Sequence, residues 1–294
     1  MAFLQRIIAA LLSLFGLIAA VPPQAQMAFP SNAQTLDVRI MSYNVYVFDT
    51  GRNRHEKRAP GVVANIRSVA PDVFGLQEAN LDWMQRIADA LPDYAFVGVG
   101  RDDGVQGGEF SPVFYRTDRF EKIDGGTFWF SDTPDVPSRT WRSRFHRICS
   151  WAVLREKDSS FSFAVFNSHW DHLSVESRER SAALLIKKAK AYAPDLPVVI
   201  LGDFNCKANT EAYQTLIDAG FVDSMSVSPE TSNIGSFHGY YKLSTVGELP
   251  IDHILFLKTN GYSAAYHVVT DRYDGRYPSD HFPIVSDLTL YTLS

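Results

Sequence analysis

Six short polar motifs interrupt an otherwise apolar chain. They are Ser42-Tyr43-Asn44, Leu76-Gln77-Glu78-Ala79, Ser168-His169-Trp170-Asp171-His172, Gly202-Asp203-Phe204-Asn205, Ile251-Asp252-His253 and Ser279-Asp280-His281. Most close a run that reads as a buried β-strand, and strand ends are where a sheet offers side chains to a crevice. Carboxylates, amides and imidazoles gathered there suit one shared site for a hard cation and a phosphate.

Each motif has its own chemistry. Glu78 ends the apolar run from Asp72 with no basic neighbour. A carboxylate so placed is costly unless it is hydrated or bound to a cation. In Gly202-Asp203-Phe204-Asn205 the glycine permits a tight turn. If the chain stays extended, Asp203 and Asn205 share a face. The carboxylate can then orient or deprotonate a water, and the amide can hold that water or an oxyanion. The competing reading is an Asx turn. Asp280 is a candidate cation ligand, whereas His281, on the opposite pleat, is placed to reach a phosphoryl oxygen. Asp252 is a candidate to fix the His281 tautomer from the far nitrogen. His169 is a second candidate for phosphate contact, with Glu109 as its orienting partner. Asp171 and His172 either line the same pocket or form a polar loop before a helix. His-x-Asp-His also reads as a zinc pattern, but the remaining set is oxygen-rich.

The elements needed to position these groups are legible as apolar runs of four to eight residues rich in Val, Ile and Phe. They cover Val38 to Tyr43, Val73 to Leu76, Tyr94 to Val99, Pro112 to Tyr115, Ile148 to Leu154, Phe161 to Phe166, Pro197 to Leu201, Ile251 to Phe256 and His281 to Val285. Such runs predict strands. Helical spacing of apolar residues predicts helices over Lys57 to Val69, Leu81 to Leu91, Val175 to Tyr192, with Ser174 as N-cap, and Glu211 to Ala219. Helices separated by several consecutive strands point to an α/β fold of two packed mixed sheets with outer helices. The strict alternation of a βα barrel is missing.

The 294 residues carry 46% hydrophobic and 21% charged residues and a formal net charge of −5. That balance argues against non-specific nucleic-acid binding, which rests on neutralising phosphates. Arg6 precedes about fifteen mostly apolar residues, too short for a comfortable transmembrane helix of roughly 20. The segment reads as a signal peptide over residues 1–25, so an exported protein, periplasmic or extracellular and without stable membrane insertion, is expected. Two cysteines, Cys149 and Cys206, do not make a disulfide framework. Cys149 is expected in the core and Cys206 on the loop after Asn205.

The ordered set Asn44, Glu78, Glu109, His169, Asp203/Asn205, Asp252, Asp280/His281 resembles the endonuclease/exonuclease/phosphatase superfamily over residues 36–292. That superfamily includes pancreatic-type deoxyribonuclease, apurinic endonucleases, inositol polyphosphate 5-phosphatases, bacterial sphingomyelinases and poly(A) deadenylases. The resemblance implies a four-layer α/β sandwich with the site at one edge of the two sheets. It implies Mg²⁺ or Mn²⁺ held by Glu78, Asn44 and Asp280. It places Asp203 and Asn205 around the attacking water, and His281 with Asp252, plus His169, around the scissile phosphate. A calcineurin-type dinuclear phosphatase would need a His where Asn205 stands.

Substrate signals are weaker. Phe237-His238-Gly239-Tyr240-Tyr241 and Phe128-Trp129-Phe130 are candidate pocket walls. The segment from Arg139 to Arg147 holds four arginines among aromatics and suits an anionic substrate. Asp171, His172, Arg147 and His238 are therefore the candidate substrate contacts. The expectation is an exported Mg²⁺-dependent phosphoesterase, with a phosphodiester favoured. A secreted nuclease on DNA or RNA, a sphingomyelinase-like phosphodiesterase and a non-enzymatic binding module on the same fold are the alternatives.

Overall fold

In the computed structural model, residues 33–240 and 243–292 are described, and Gln34–Ser294 group as one compact unit. The signal-peptide reading falls outside the described residues. Two mixed sheets form the middle of the molecule. In the first, β1 (Thr35–Asn44) pairs in parallel with β2 (Val73–Gln77). On the β2 side follow β4 (Val113–Arg116) and β3 (Tyr94–Val97). On the β1 side follow β13 (Ile284–Tyr291), β12 (Gly261–Val268) and β10 (Glu230–Thr231). The second sheet runs in the order β5 (Phe120–Trp129), β6 (Ile148–Glu156), β7 (Ser162–His169), β8 (Val198–Asp203), β11 (Asp252–Leu257) and β9 (Phe221–Asp223). Its parallel pair is β7 with β8.

A parallel pair needs a crossover, and for β1–β2 and β7–β8 that crossover carries a helix. Helix α1 (His55–Val69) joins β1 to β2, and α3 (Val175–Tyr192) joins β7 to β8. With α2 (Leu81–Ala90), α1 covers the outer face of the first sheet through Val62, Ile66, Trp83 and Ile87. With α4 (Glu211–Asp218), α3 covers the second through Ala182, Leu185 and Leu216. A short α5 (Ser224–Val227) follows β9. Between the sheets, Val38, Ile40 and Val73 meet Phe163, Val165, Val199 and Leu201. The molecule is thus a four-layer α/β sandwich.

The expected helices form within about two residues of their read bounds, an ordinary uncertainty at helix ends. The Ser174 hydroxyl caps α3 by accepting from the Ser177 N–H at 3.1 Å. Four strands, β5, β9, β10 and β12, escape the sequence reading. Glu121, Lys122, Ile123 and Asp124 of β5 are exposed on a sheet edge, so the strand carries no apolar run. Phe128 and Phe130, read as pocket wall, are buried in the core against the α3 layer, which corrects that expectation. Cys149 and Cys206 are both buried and free.

Candidate active site

Pleating carries the site. Along β1, Leu36, Val38 and Ile40 face the other sheet while Met41 and Tyr43 face the helices. The same alternation sends Asn44 inward, across the gap to Asp203. In the second sheet, register sets His169 beside Asp203 and Asp203 beside Asp252 on three adjacent strands. Three groups distant in sequence thereby form one row at the end of the sandwich. Below it, Asn167 links the sheets: its Nδ2 donates to Leu76 O at 2.8 Å and Pro112 O at 2.7 Å, and its Oδ1 accepts from Gln77 Nε2 at 2.7 Å. Gly75 makes room for it, because a Cβ there would stand 2.4 Å from Asn167 Cγ.

His281 Nδ1 lies 2.8 Å from Asp252 Oδ2, and Nε2 lies 3.9 Å from Asp203 Oδ2. Burial opposes the charged imidazole, but the Asp252 carboxylate outweighs it and raises the pKa. Asp203 is pushed up by burial and by Asp252, against the pull of His281. Its Oδ2 accepts from Asn44 Nδ2 at 2.9 Å and sits 3.6 Å from His169 Nε2. Burial, together with Arg147 and Arg101, holds His169 well below the usual histidine range. Asp203, Asp252 and His281 offer ligand atoms within 4.8 Å of one another. The short Asp252–His281 contact is a hydrogen bond, so we read the trio as an acid–imidazole–acid chain rather than a cation cage.

Several expectations need correction. Asn44, expected among the groups that hold the cation, has its Oδ1 accepting from the Tyr46 N–H at 2.9 Å and its Nδ2 donating to Glu78 Oε1 at 3.1 Å as well as to Asp203. It is a bridge between carboxylates. Glu109 was expected to orient His169, but Arg101 takes it with two bonds of 2.8 and 2.6 Å, leaving His169 Nδ1 3.9 Å away. The Asp203–Asn205 turn is not extended: Asn205 has φ +49°, and its N–H donates to Asp203 Oδ1 at 2.9 Å. The Asx turn and the inward carboxylate coexist. Asp171 does not line the cleft; it accepts from Leu173 N, Ser174 N, Arg144 N and Ser143 Oγ, and so shapes the loop before α3. His238 is buried behind the cleft, packed on Tyr277 and Phe282, and does not line it either.

Arg147, His172, Asn205, Asp280 and His281 do line one cleft of about 490 Å³ with Glu78, Asp203 and His169. Arg147 Nη2 contacts His172 Nδ1 at 3.0 Å, and Phe145 lies under both Arg101 and Arg147. Arg101 was missed, since nothing marks the run Arg101-Asp102-Asp103 as more than a polar turn. Gln77, also unassigned, stood inside a motif already singled out, and Asn167 stood immediately before one.

Glu78 leaves β2 with φ +60°, and its Oε2 accepts from the Val47 N–H at 2.9 Å. Burial raises the Asp280 carboxyl to about 6, with His281 opposing and Glu78 adding to the rise. A buried Asp280 carboxyl raised by its surroundings, with the Glu78 carboxylate on the same cleft, forms a donor set that a divalent cation relieves. The residues present therefore fit such an ion.

The sequence matches the family model described as Endonuclease/Exonuclease/phosphatase family over residues 41–281. A solved endonuclease/exonuclease/phosphatase family protein from Bacteroides thetaiotaomicron is 34% identical, with TM-score 0.83, covering 87% of this chain and 98% of that one. A mannosyl-6-phosphatase from Bacteroides thetaiotaomicron VPI-5482 is 35% identical, with TM-score 0.82, covering 85% and 99%. Among curated proteins, an uncharacterized protein of Acanthamoeba polyphaga mimivirus is 28% identical over 250 residues, 78% of this chain and 90% of its own length.

Proposed function

The chain belongs to the endonuclease/exonuclease/phosphatase family and is a phosphate-ester hydrolase, and from that premise we propose that it removes terminal phosphate from a small polyhydroxylated substrate with the help of Mg²⁺ or Mn²⁺. The sequence alone favoured a phosphodiester. The observation that carries the monoester reading is the charge layout of the cleft. Arg147, whose buried Nη1 has no hydrogen-bond partner, stands with Arg101, itself paired to Glu109, on one wall of a volume suited to a small ligand. A terminal phosphoryl group carries about −1.5 to −2 near neutral pH, against −1 for a diester, and so gains more from such a wall. The likeness to a mannosyl-6-phosphatase supports the same substrate class. Export belongs to the proposal through the N-terminal segment. No helix among the described residues is long and apolar enough to cross a membrane.

In the proposed reaction Glu78 and Asp280 hold the cation, which on binding supplies positive charge to the phosphoryl oxygens. His281, kept protonated by Asp252, donates from Nε2 to a phosphoryl oxygen. Asp203, raised towards the neutral range, takes a proton from water as that oxygen forms its bond to phosphorus. The bond from phosphorus to the ester oxygen breaks in line, the departing oxygen takes a proton from solvent water, and Asp203 returns the proton it accepted to solvent. Asn44 keeps Asp203 and Glu78 in register.

Purified protein should be assayed on mannose 6-phosphate, an aryl phosphomonoester, an aryl phosphodiester and single-stranded RNA, with and without chelator. Release of phosphate from the monoesters should exceed diester cleavage by about tenfold or more in kcat/KM, a difference of about 1.4 kcal/mol, and should vanish with chelator. Faster cleavage of RNA or of the diester would replace this reading with the phosphodiesterase or nuclease alternative.

A further inference from the structure

Helix α1 carries a buried arginine with an unusual set of partners. Arg58 is 3% exposed. A guanidinium has five N–H donors, and all of them here meet backbone carbonyls. Nε donates to Asn53 O at 2.8 Å. Nη1 donates to Val45 O at 2.6 Å and Pro278 O at 3.0 Å. Nη2 donates to Tyr46 O at 2.6 Å and Phe48 O at 3.1 Å. Trp83 and Tyr46 rings lie 4.9 and 5.4 Å from its central carbon. A buried arginine is ordinarily paired with an acid. Asp280 is near enough to favour the charge on Arg58, yet none of the five donors goes to it or to Glu78.

The carbonyls belong to the segments that hold those two carboxylates. In a trans peptide the C=O and the following N–H point in opposite directions. With the Tyr46 carbonyl turned to Arg58, the Val47 N–H is turned the other way, where it meets Glu78 Oε2 at 2.9 Å. On the other side, Pro278 stands two residues before Asp280. The Ser279 hydroxyl between them donates to Asn44 O at 2.7 Å.

We propose that Arg58 is a positioning residue for the cation: it bolts the Val45–Phe48 loop to the Pro278–Asp280 loop and thereby sets the spacing of Glu78 and Asp280. Because its donors are spent on carbonyls, it does so without neutralising either carboxylate. The inference rests on the assignment of Glu78 and Asp280 as the cation's ligands.

The sign of the effect separates positioning from simple charge. Arg58 is a cation close to a cation site, so removing its charge should by itself tighten metal binding. Losing the bolt should weaken it. Full-length protein stripped with chelator should be titrated with Mn²⁺ alone by calorimetry, with folding checked by circular dichroism. Arg58→Met should raise the Mn²⁺ Kd by about tenfold or more, in the range seen when groups behind metal ligands are changed. Arg58→Lys keeps the charge but offers three donors in place of five, and should raise the Kd as well while leaving the fold intact. An unchanged or lower Kd in folded Arg58→Met overturns the proposal. If that variant does not fold, an unchanged Kd in Arg58→Lys overturns it. Glu78→Gln in the otherwise native protein tests the premise separately: if it leaves Mn²⁺ binding intact, the ligand assignment fails, whatever Arg58 does.

Discussion

At the scale of residues, one carboxylate and one imidazole share the proton work. His281 owes its charge to Asp252 at 2.8 Å, and Asp203 owes its raised proton affinity to burial and to that same acid. Asp203→Asn removes the proton acceptor but keeps the size and the Asn205 contact. His281→Ala removes the phosphoryl donor. Each should lower kcat by about 10² or more while thermal unfolding stays within a few degrees of the native protein. Native-like steady-state rates in both variants would sink their assigned roles. His172 and Arg147 form a polar pair on the cleft wall, a placement that residue type alone left open.

At the scale of elements, the strand ends are set by close backbone contact. Gly202 has φ +144°, and a Cβ there would fall 1.9 Å from the Ser168 carbonyl oxygen of the neighbouring strand. No flexible side chain can give way, because the obstacle is backbone. Gly202→Ala should therefore destabilise by about 3 kcal/mol or more, and the residual folded protein should have lost activity, since Ser168 and Gly202 flank His169 and Asp203. Denaturant unfolding of the variant measures the first effect, and a shift below about 1 kcal/mol would contradict the stated contact. The motif Gly-Asp-x-Asn announced a turn. That the glycine answers to β7 rather than to its own loop emerges only from the pairing.

At the scale of the whole molecule, a second acid–imidazole pair ties the outer layer to the site. His253 is buried, with Nδ1 2.7 Å from Asp223 Oδ2 and Nε2 2.9 Å from Cys206 O. Burial alone would lower its pKa, but Asp223 reverses this and the net shift is upward. A folded pKa above the unfolded value near 6.5 gives stability that is complete below about pH 6.5 and is lost as pH rises through the folded value. The stability difference between native protein and His253→Gln should accordingly shrink as pH rises above about 6.5. A difference that grows over that range would show that His253 is neutral in the fold.

Local chemistry settled part of this protein in advance. Apolar runs ending in polar motifs located most central strands, the helical stripes located the crossovers, and the ordered Asn44, Glu78, His169, Asp203, Asp252 and His281 announced a shared site, because side-chain type and alternation are properties of the chain itself. Register and rotation were decided only by folding. Which face of Asn44 meets Glu78, which base Glu109 serves, and whether Asp171 faces substrate or its own loop all depend on groups far apart in sequence meeting across two sheets. Edge strands such as β5 stayed hidden for the same reason: with one side open to water, they need no apolar signature until a neighbour pairs with them.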